Sequence, residues 1–412
     1  MKVCFETFGC RLNRAEALEE EAKYLARGWE RTESHADAQL IVVRGCSVTA
    51  RAQRDCEHLI AHIRRKYPLK RVIVTGCLPD ARKNYAVREI AARTARRADT
   101  DGSPSATPVP LRTARAYLKV QDGCSGRCAF CIVPQFRGKA TSVPVADVRS
   151  RAQAFLDAGY RELVVTGCNL AQYNDAGRAL PELLAELSDL CGGTARLRLG
   201  SLEPGPAARE TVRLMAARPN LCRFLHIPVQ SVSDRILTAM RRPYLRRDVE
   251  ELVREATDLM PGLGLGCDVM TGFPDEMEND FMSTRLLLSR LPFTKAHVFP
   301  FSERPGTVAA TLPNAVPKEI RSLRAHELAE LVDEQRTRYV KRFKGRTVRV
   351  VVEDEKTLAG WTSEYVWCQV GADKAKVLTR DRGRADRRIR RRDLIDVFVR
   401  EVNGHVLTGD PV

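Results

Sequence analysis

Apolar positions in the first hundred residues switch between two periods. Val3 to Phe8 has the composition of a short strand, and from Asn13 onward Ala15, Leu18, Ala22 and Leu25 recur at helical spacing among charges up to Gly28. Leu40-Ile41-Val42-Val43 is a compact run of the parallel-strand kind; Cys56, Ile60 and Ile63 mark a second helix, and Val72-Ile73-Val74 another strand. This rhythm predicts a small doubly wound parallel sheet.

Residues 98–112 contain almost nothing that can be buried and read as a linker, which sets the first unit at 1–97. The strand–helix rhythm then resumes over 113–340. Strand candidates are Tyr117 to Val120, Leu163 to Thr166, Leu197 to Leu199, Phe224 to Ile227, Leu263 to Met270 and Thr294 to Phe299. Six strands with helices between them fit a closed or partly closed β/α barrel. A charged helix through Leu323, Leu328, Leu331 and Tyr339 follows. Over 341–412 the short runs Thr347 to Val352, Tyr365 to Val370, Leu394 to Val399 and His405 to Leu407 suggest a small β-barrel. The expected fold class is therefore α/β with a β appendage.

Composition adds two constraints. The formal net charge is +16, which points to a polyanionic partner such as nucleic acid, or else to an ordinary solvated surface. Thirteen cysteines cannot all pair with one another. The start Met1-Lys2-Val3-Cys4-Phe5-Glu6 lacks the pattern of a secretory signal, and no apolar run is long enough for a membrane span. A reducing, cytoplasmic setting without a membrane partner is expected, with metal or cluster ligation the leading use for cysteines in motifs.

Cys124, Cys128 and Cys131 carry the strongest chemical signal, spaced Cys-x3-Cys-x2-Cys directly after a strand and accompanied by Gly123 and Gly126. Three thiolates can hold three irons of a cubane and leave the fourth open to a small molecule. A zinc knuckle short of one ligand, or three unrelated thiols, are the alternatives. Cys10, Cys46 and Cys77 are distant in sequence, but each follows a strand and a glycine: Phe8-Gly9-Cys10, Gly45-Cys46 and Gly76-Cys77. The carboxyl ends of parallel strands open on one crevice, so these thiols can converge into a second site with an open position. Three buried thiols placed by chance are the alternative. Cys4, Cys56, Cys168, Cys191, Cys222, Cys267 and Cys368 are expected not to be ligands; Cys168 resembles a motif position most, because it follows Val165-Thr166-Gly167.

The central triad resembles the signature of radical S-adenosylmethionine (SAM) enzymes, and the two triads together resemble the methylthiotransferases of tRNA and ribosomal protein. Gly9-Cys10-Arg11-Leu12-Asn13, Cys46-Ser47-Val48-Thr49 and Val74-Thr75-Gly76-Cys77 are similar to the family's cysteine motifs; Arg44-Gly45 departs from its usual Asn-Thr. The resemblance implies two [4Fe-4S] clusters and SAM. One SAM would be cleaved to a 5′-deoxyadenosyl radical, and another would methylate sulfur carried by the second cluster. It places Phe130 against the adenine, although a plain core aromatic fits that residue too. Glu203, in Ser201-Leu202-Glu203-Pro204, is the expected SAM-site acid or else a solvated loop acid. Gln230, in His226-Ile227-Pro228-Val229-Gln230-Ser231, is expected near the methionine end, while His226 is equally well a core histidine. Gly272-Phe273-Pro274-Asp275-Glu276 carries Asp275 where the family has glycine, a mild exchange if positive φ is required.

Three targets are compatible with the family: isopentenyladenosine in tRNA, threonylcarbamoyladenosine in tRNA, and an aspartate of ribosomal protein. Lys119-Val120-Gln121-Asp122-Gly123-Cys124 and His297-Val298-Phe299-Pro300-Phe301-Ser302-Glu303-Arg304-Pro305-Gly306-Thr307 most resemble the threonylcarbamoyladenosine enzymes. A carboxylate-bearing substituent needs cationic partners, for which Arg137 and Arg304 are the candidates. The C-terminal part resembles the RNA-binding TRAM domain, with Gly360-Trp361-Thr362-Ser363-Glu364-Tyr365 as a turn. Eight arginines lie between Arg380 and Arg392, and Arg387, Arg388, Arg390, Arg391 and Arg392 are expected to grip phosphates of a tRNA anticodon stem-loop. A partnerless charged hairpin is the alternative for this strip. The resemblance also implies a sulfur source and a one-electron reductant such as flavodoxin or ferredoxin, and a monomer is expected. The rival class is a non-catalytic RNA-binding protein with structural metal.

Overall fold

The computed structural model of the chain describes residues 1–47, 50–78, 113–370, 378–379 and 387–412. The expected linker at 98–112 lies outside the described residues, as do Val48 and Thr49 and positions 380–386 of the basic strip.

The N-terminal unit has four parallel strands, β1 (Lys2–Thr7), β2 (Glu30–Arg31), β3 (Leu40–Gly45) and β4 (Arg71–Gly76), in the order β2-β1-β3-β4. Helices α1 (Arg11–Ala26) and α2 (Ala50–Lys66) cover opposite faces. Side chains alternate across each strand, so Cys4, Ile41, Val43 and Val74 pack with Ile60 and Ile63, while Val3, Phe5, Leu40 and Val42 meet Tyr24 and Trp29. The doubly wound reading of the apolar runs holds; the two-residue β2 was too short to leave a pattern.

The central unit is a partial barrel. Strands β5 (Ala116–Lys119), β6 (Glu162–Thr166) and β7 (Arg196–Leu199) form one parallel sheet, and β8 (Phe224–Gln230), β9 (Gly264–Thr271) and β10 (Lys295–Pro300) another. Single bridges, Leu197 to Leu221 and Ser201 to His226, join β7 to the next sheet. Among the described residues no pairing links β10 to β5, so the barrel is open on that side. Outward residues such as Leu118, Leu163, Val165, Leu197, Leu225 and Leu265 are fully buried under the helices. Each contributes roughly 1.5–3 kcal/mol by leaving water. Helix α1 packs Ala15 against Tyr117 and Val164 on the inner wall, which fixes the N-terminal unit at the barrel.

Helix α3 (Lys318–Lys341) leads to a closed five-stranded barrel: β11 (Thr347–Asp354), β12 (Ala359–Thr362), β13 (Trp367–Val370), β14 (Leu394–Asn403) and β15 (Val406–Pro411). The structure corrects the sequence reading here, since Ala359–Thr362 is a strand and not part of a turn. A Cβ on Gly360 would lie 1.7 Å from the carbonyl oxygen of Val351, so only glycine lets β12 close against β11. The small barrel docks through buried charge. Glu162 holds Arg196 and Arg198, whose guanidiniums donate to the carbonyls of Trp361 (2.8 Å) and Thr362 (2.7 Å). Among the described residues no helix is long and apolar enough to cross a membrane.

Candidate active site

The three N-terminal thiols meet above the carboxyl ends of β1, β3 and β4. Gly9 has φ 95°, and a Cβ there would fall 2.5 Å from Cys46 Sγ. The Cys77 amide donates to the Gly45 carbonyl (3.1 Å), and the Ser47 hydroxyl to the Cys77 carbonyl (2.5 Å). Cys46 and Cys77 are buried and Cys10 is exposed. Gly45 is equally constrained, because a Cβ would lie 2.0 Å from Leu78 Cδ1. Arg44, the other departure from the family pattern, donates to Glu16 and Glu20 at 2.8 Å each.

Arg137 joins this site to the barrel. Its Nε donates to Cys77 Sγ (3.0 Å), and its terminal nitrogens to Glu16 and Asp122 (both 2.9 Å) and Asn13 (2.9 Å). Lys119 completes the lattice, at 2.6 Å from both Glu16 and Asp122. Lys119 and Arg137 outweigh burial and hold the Asp122 carboxyl down at about 2. Arg137 is therefore saturated by protein partners in this arrangement. Arg304 is buried; its Nη1 donates to Gln53 (3.1 Å), while its Nη2 has no partner among the described residues. Burial lowers its pKa, and the nearby Cys46 thiol works against that.

Cys124, Cys128 and Cys131 sit on the loop after β5, at the carboxyl-terminal mouth of the barrel. The Cys124 amide donates to Gly138 (3.0 Å), the Ala129 amide to Met240 (2.9 Å), and a Cβ on Gly126 would press on Cys124 Sγ at 3.2 Å. Arg242 donates to Cys128 Sγ (3.0 Å) and Tyr244 (2.9 Å) and pairs with Glu203. Glu203 also accepts from Asn169 (2.8 Å), so it is an anchored acid and not a solvated one. Phe130 is half-buried against Met270, Phe273 and Phe301. Gln230 has φ 61° and a buried Oε1 without a partner among the described residues.

The glycine cradles, the two arginines beside sulfur and the orphaned Gln230 and Arg304 atoms fit anionic clusters and a polar ligand. Burial pushes the Cys131 thiol up to about 11, so loading a cluster there displaces a proton. Cys4, Cys56, Cys191, Cys222, Cys267 and Cys368 are buried; Cys168 lies 3.6 Å from Asp122 in the cleft between the triads. Arg242, Tyr244, Asn169 and Glu16 were not foreseen, because no local motif announces contacts made across the fold; Asn13 stood in the motif around Cys10, but its contact with Arg137 was not foreseen either.

Of the basic strip, the backbone of Arg387–Arg388 pairs with Leu378–Thr379, and Arg390 and Arg391 are exposed. Arg392 turns inward, stacks 4.0 Å over Tyr160 and donates to the carbonyls of Thr113 and Ala158 (3.2 Å each). It is a strut between barrel and appendage, a correction to its expected place among phosphate-gripping residues.

A three-thiol loop at the mouth of an open parallel β/α barrel defines a radical SAM enzyme, and residues 118–288 match the Radical SAM superfamily. Residues 2–95 match the Uncharacterized protein family UPF0004. The chain is 30% identical to the threonylcarbamoyladenosine tRNA methylthiotransferase MtaB of Aquifex aeolicus, over 89% of this chain and 96% of that protein. It is 31% identical to the tRNA-2-methylthio-N(6)-dimethylallyladenosine synthase of Chlorobium luteolum, over 85% of each. The radical SAM methyltransferase TsrM of Kitasatospora setae shares the fold, with a TM-score of 0.53 at 15% identity over 75% of this chain and 74% of that one. The chain belongs to the radical SAM tRNA methylthiotransferases. Its cofactors are those of that family, [4Fe-4S] clusters and SAM.

Proposed function

We propose that this protein methylthiolates C2 of N6-threonylcarbamoyladenosine at position 37 of tRNA, in the cytoplasm and as a monomer. The observation that carries the chemistry is the pair of three-thiol sites, tied across one cleft by Arg137 through Cys77, Glu16 and Asp122. The choice of nucleoside is supported by the MtaB relatives from Aquifex aeolicus and Thermotoga maritima at 30% and 31% identity.

Cys124, Cys128 and Cys131 hold the radical cluster, and Cys10, Cys46 and Cys77 the auxiliary one. When bound, the clusters and SAM supply one-electron cleavage to a carbon radical and a sulfur to be methylated and transferred, chemistry that an unactivated C–H position requires. The protein's part is to hold and orient. Arg242 donates to Cys128 and is itself fixed by Glu203, which Asn169 anchors. Gln230, whose buried Oε1 has no partner among the described residues, would bind the polar end of SAM, and Phe130 would flank its adenine. Arg304, whose Nη2 has no partner among the described residues, would supply a donor beside Cys46 of the auxiliary site. A reductant such as flavodoxin or ferredoxin and a sulfur source are required partners. Nucleoside mass spectrometry of tRNA from cells lacking the gene, with and without its return, tests the assignment. Loss and recovery of the 2-methylthio-threonylcarbamoyl nucleoside is expected; loss of the isopentenyl counterpart instead would overturn it.

A further inference from the structure

Strands β8, β9 and β10 carry a set of polar residues on their inner face that no role above absorbs. The register pairs Met270 with Phe299, Asp268 with His297 and Gly266 with Lys295, while Gly266 also pairs with His226. Residues two apart on a strand share a face and stand about 7 Å apart along it. Met270 and Phe299 pack with Ala129 and Phe130 of the cysteine loop. The polar residues therefore lie one and two steps below that loop, inside the barrel.

Asp268 Oδ1 accepts from His226 Nε2 (2.9 Å) and His297 Nδ1 (3.1 Å). An ionised carboxylate only accepts, so His297 carries its proton on Nδ1 and presents Nε2 to the open interior, where the residue is exposed. The arrangement depends on Gly266, because a Cβ there would lie 2.5 Å from His226 Nδ1. The three ligand atoms are close enough to hold a metal ion, yet a single oxygen shared by two ring nitrogens is a hydrogen-bonding geometry.

Beneath them the site has cations without matching anions. Lys295 Nζ lies 4.5 Å from the Tyr365 ring centre and makes no ion pair among the described residues. Arg11, next to Cys10, lies 5.4 Å from the same centre and donates to the Tyr365 hydroxyl and the Leu199 carbonyl (3.3 Å each). Carboxylates of the surrounding wall are committed elsewhere: Glu162 to Arg196 and Arg198, Glu353 to Arg115, and Asp268 to the two histidines. Burial and the neighbouring Arg11, Arg336 and Arg115 hold the Lys295 ammonium below its ordinary range. Burial alone would raise the Tyr365 phenol, but Arg11, Arg115 and Lys295 bring it down to about 8. Both shifts have the sign expected where positive charge is in excess.

We infer that Lys295 and Arg11 form a carboxylate-binding subsite for the N6 substituent of the target nucleoside, with His297 Nε2 accepting from the hydroxyl or N–H groups of that substituent and Asp268 and His226 positioning His297. The inference rests on the proposed function and deepens it. An anionic, hydrogen-bonding substituent is matched by this wall, whereas an isopentenyl group would leave the same donors desolvated and unpaired. Arg137, saturated by its own partners, is not needed for this task.

The test uses reconstituted full-length protein and anticodon stem-loop RNAs bearing threonylcarbamoyladenosine, isopentenyladenosine or plain adenosine at position 37. Dissociation constants are measured by fluorescence anisotropy at fixed salt. Lys295→Met and His297→Phe are each expected to reduce the preference for the threonylcarbamoyl RNA over the adenosine RNA by about tenfold, the scale of leaving one polar group of the bound substituent unpaired. Lys295→Arg is expected to keep that preference. If both variants retain the wild-type preference, or lose affinity equally for all three RNAs, the subsite is overturned and the proposed function stands. If the wild-type protein itself prefers the isopentenyl RNA, the proposed function falls and the subsite with it.

Discussion

Arg137 and Arg242 occupy matching places, each with a nitrogen 3.0 Å from a cysteine sulfur, Cys77 in one triad and Cys128 in the other. Burial raises both thiols, and the guanidinium beside each sulfur works against that, toward the thiolate that a cluster needs. Arg137→Gln would remove the cation from a largely buried lattice and leave Asp122 and Glu16 with fewer partners. We expect a loss of about 3 kcal/mol, read by denaturant unfolding, and poorer iron retention by the N-terminal triad. Cys128→Ala should abolish 5′-deoxyadenosine formation. By contrast, Cys10→Ala, Cys46→Ala or Cys77→Ala should lose methylthio transfer, retain some SAM cleavage and lower bound iron by about half, since one cubane holds four irons; equal loss from both sites in every variant would refute two independent clusters. The cysteines were legible because spacing and strand-end glycines are local signals. Arg242 was not, since its contact with Cys128 spans 114 positions. Asp275 illustrates a local inference that worked: its φ is 67°, the left-handed conformation that aspartate tolerates better than most residues.

At the scale of elements, the apolar runs located all six barrel strands, because a strand buried under helices must be almost continuously hydrophobic on its outer face. What they could not reveal is the inner face, where Glu162, Arg196 and Arg198 stand among apolar neighbours and look, in the sequence, like interruptions. They are the joint between β6, β7 and the C-terminal barrel. Arg198 is fully buried, and Arg196 also donates to the Arg349 carbonyl (2.8 Å). Glu162→Gln would leave two buried guanidiniums uncompensated, and we expect a cost of about 3–5 kcal/mol in denaturant unfolding. The pH dependence has a definite sign. Burial alone would raise the Glu162 carboxyl, but Arg198, Arg196 and Arg115 bring it from 4.5 down to about 2. A depressed carboxyl stabilises the fold above its unfolded value and ceases to do so as it is protonated. The wild-type protein should therefore lose this contribution between about pH 4.5 and pH 2, and Glu162→Gln should flatten that part of the stability profile. β12 escaped the sequence reading for a related reason: Gly360 allows its close pairing with β11 but has no side chain to mark a strand.

For the molecule as a whole, the net charge of +16 raises the question of which cations meet the RNA and which hold the protein together. Burial separates them. Arg392 is held by Thr113, Ala158 and Tyr160, so its charge is spent between the central barrel and the appendage. Arg390 and Arg391 are exposed, and their hydrogen bonds among the described residues run through the backbone: the amides donate to Asp393 and Glu355 at 2.7 Å each, and the Arg390 carbonyl accepts from the Asp393 amide at 3.1 Å. A phosphate contact releases counterions, so each one lost reduces the slope of log affinity against log salt by about 1. Replacing Arg390 and Arg391 together with alanine should weaken tRNA binding across sequences and reduce that slope by about 2, without lowering the unfolding midpoint. Arg392→Ala should do the reverse, lowering stability by about 1–3 kcal/mol through the lost stacking on Tyr160 and the unpaired, partly buried carbonyls of Thr113 and Ala158, while leaving the slope near its wild-type value. Titrations of fluorescently labelled tRNA at several potassium chloride concentrations, paired with denaturant melts of each variant, separate the two effects. A slope lost in Arg392→Ala but kept in the double variant would place the RNA on the other side of the small barrel from the exposed arginines.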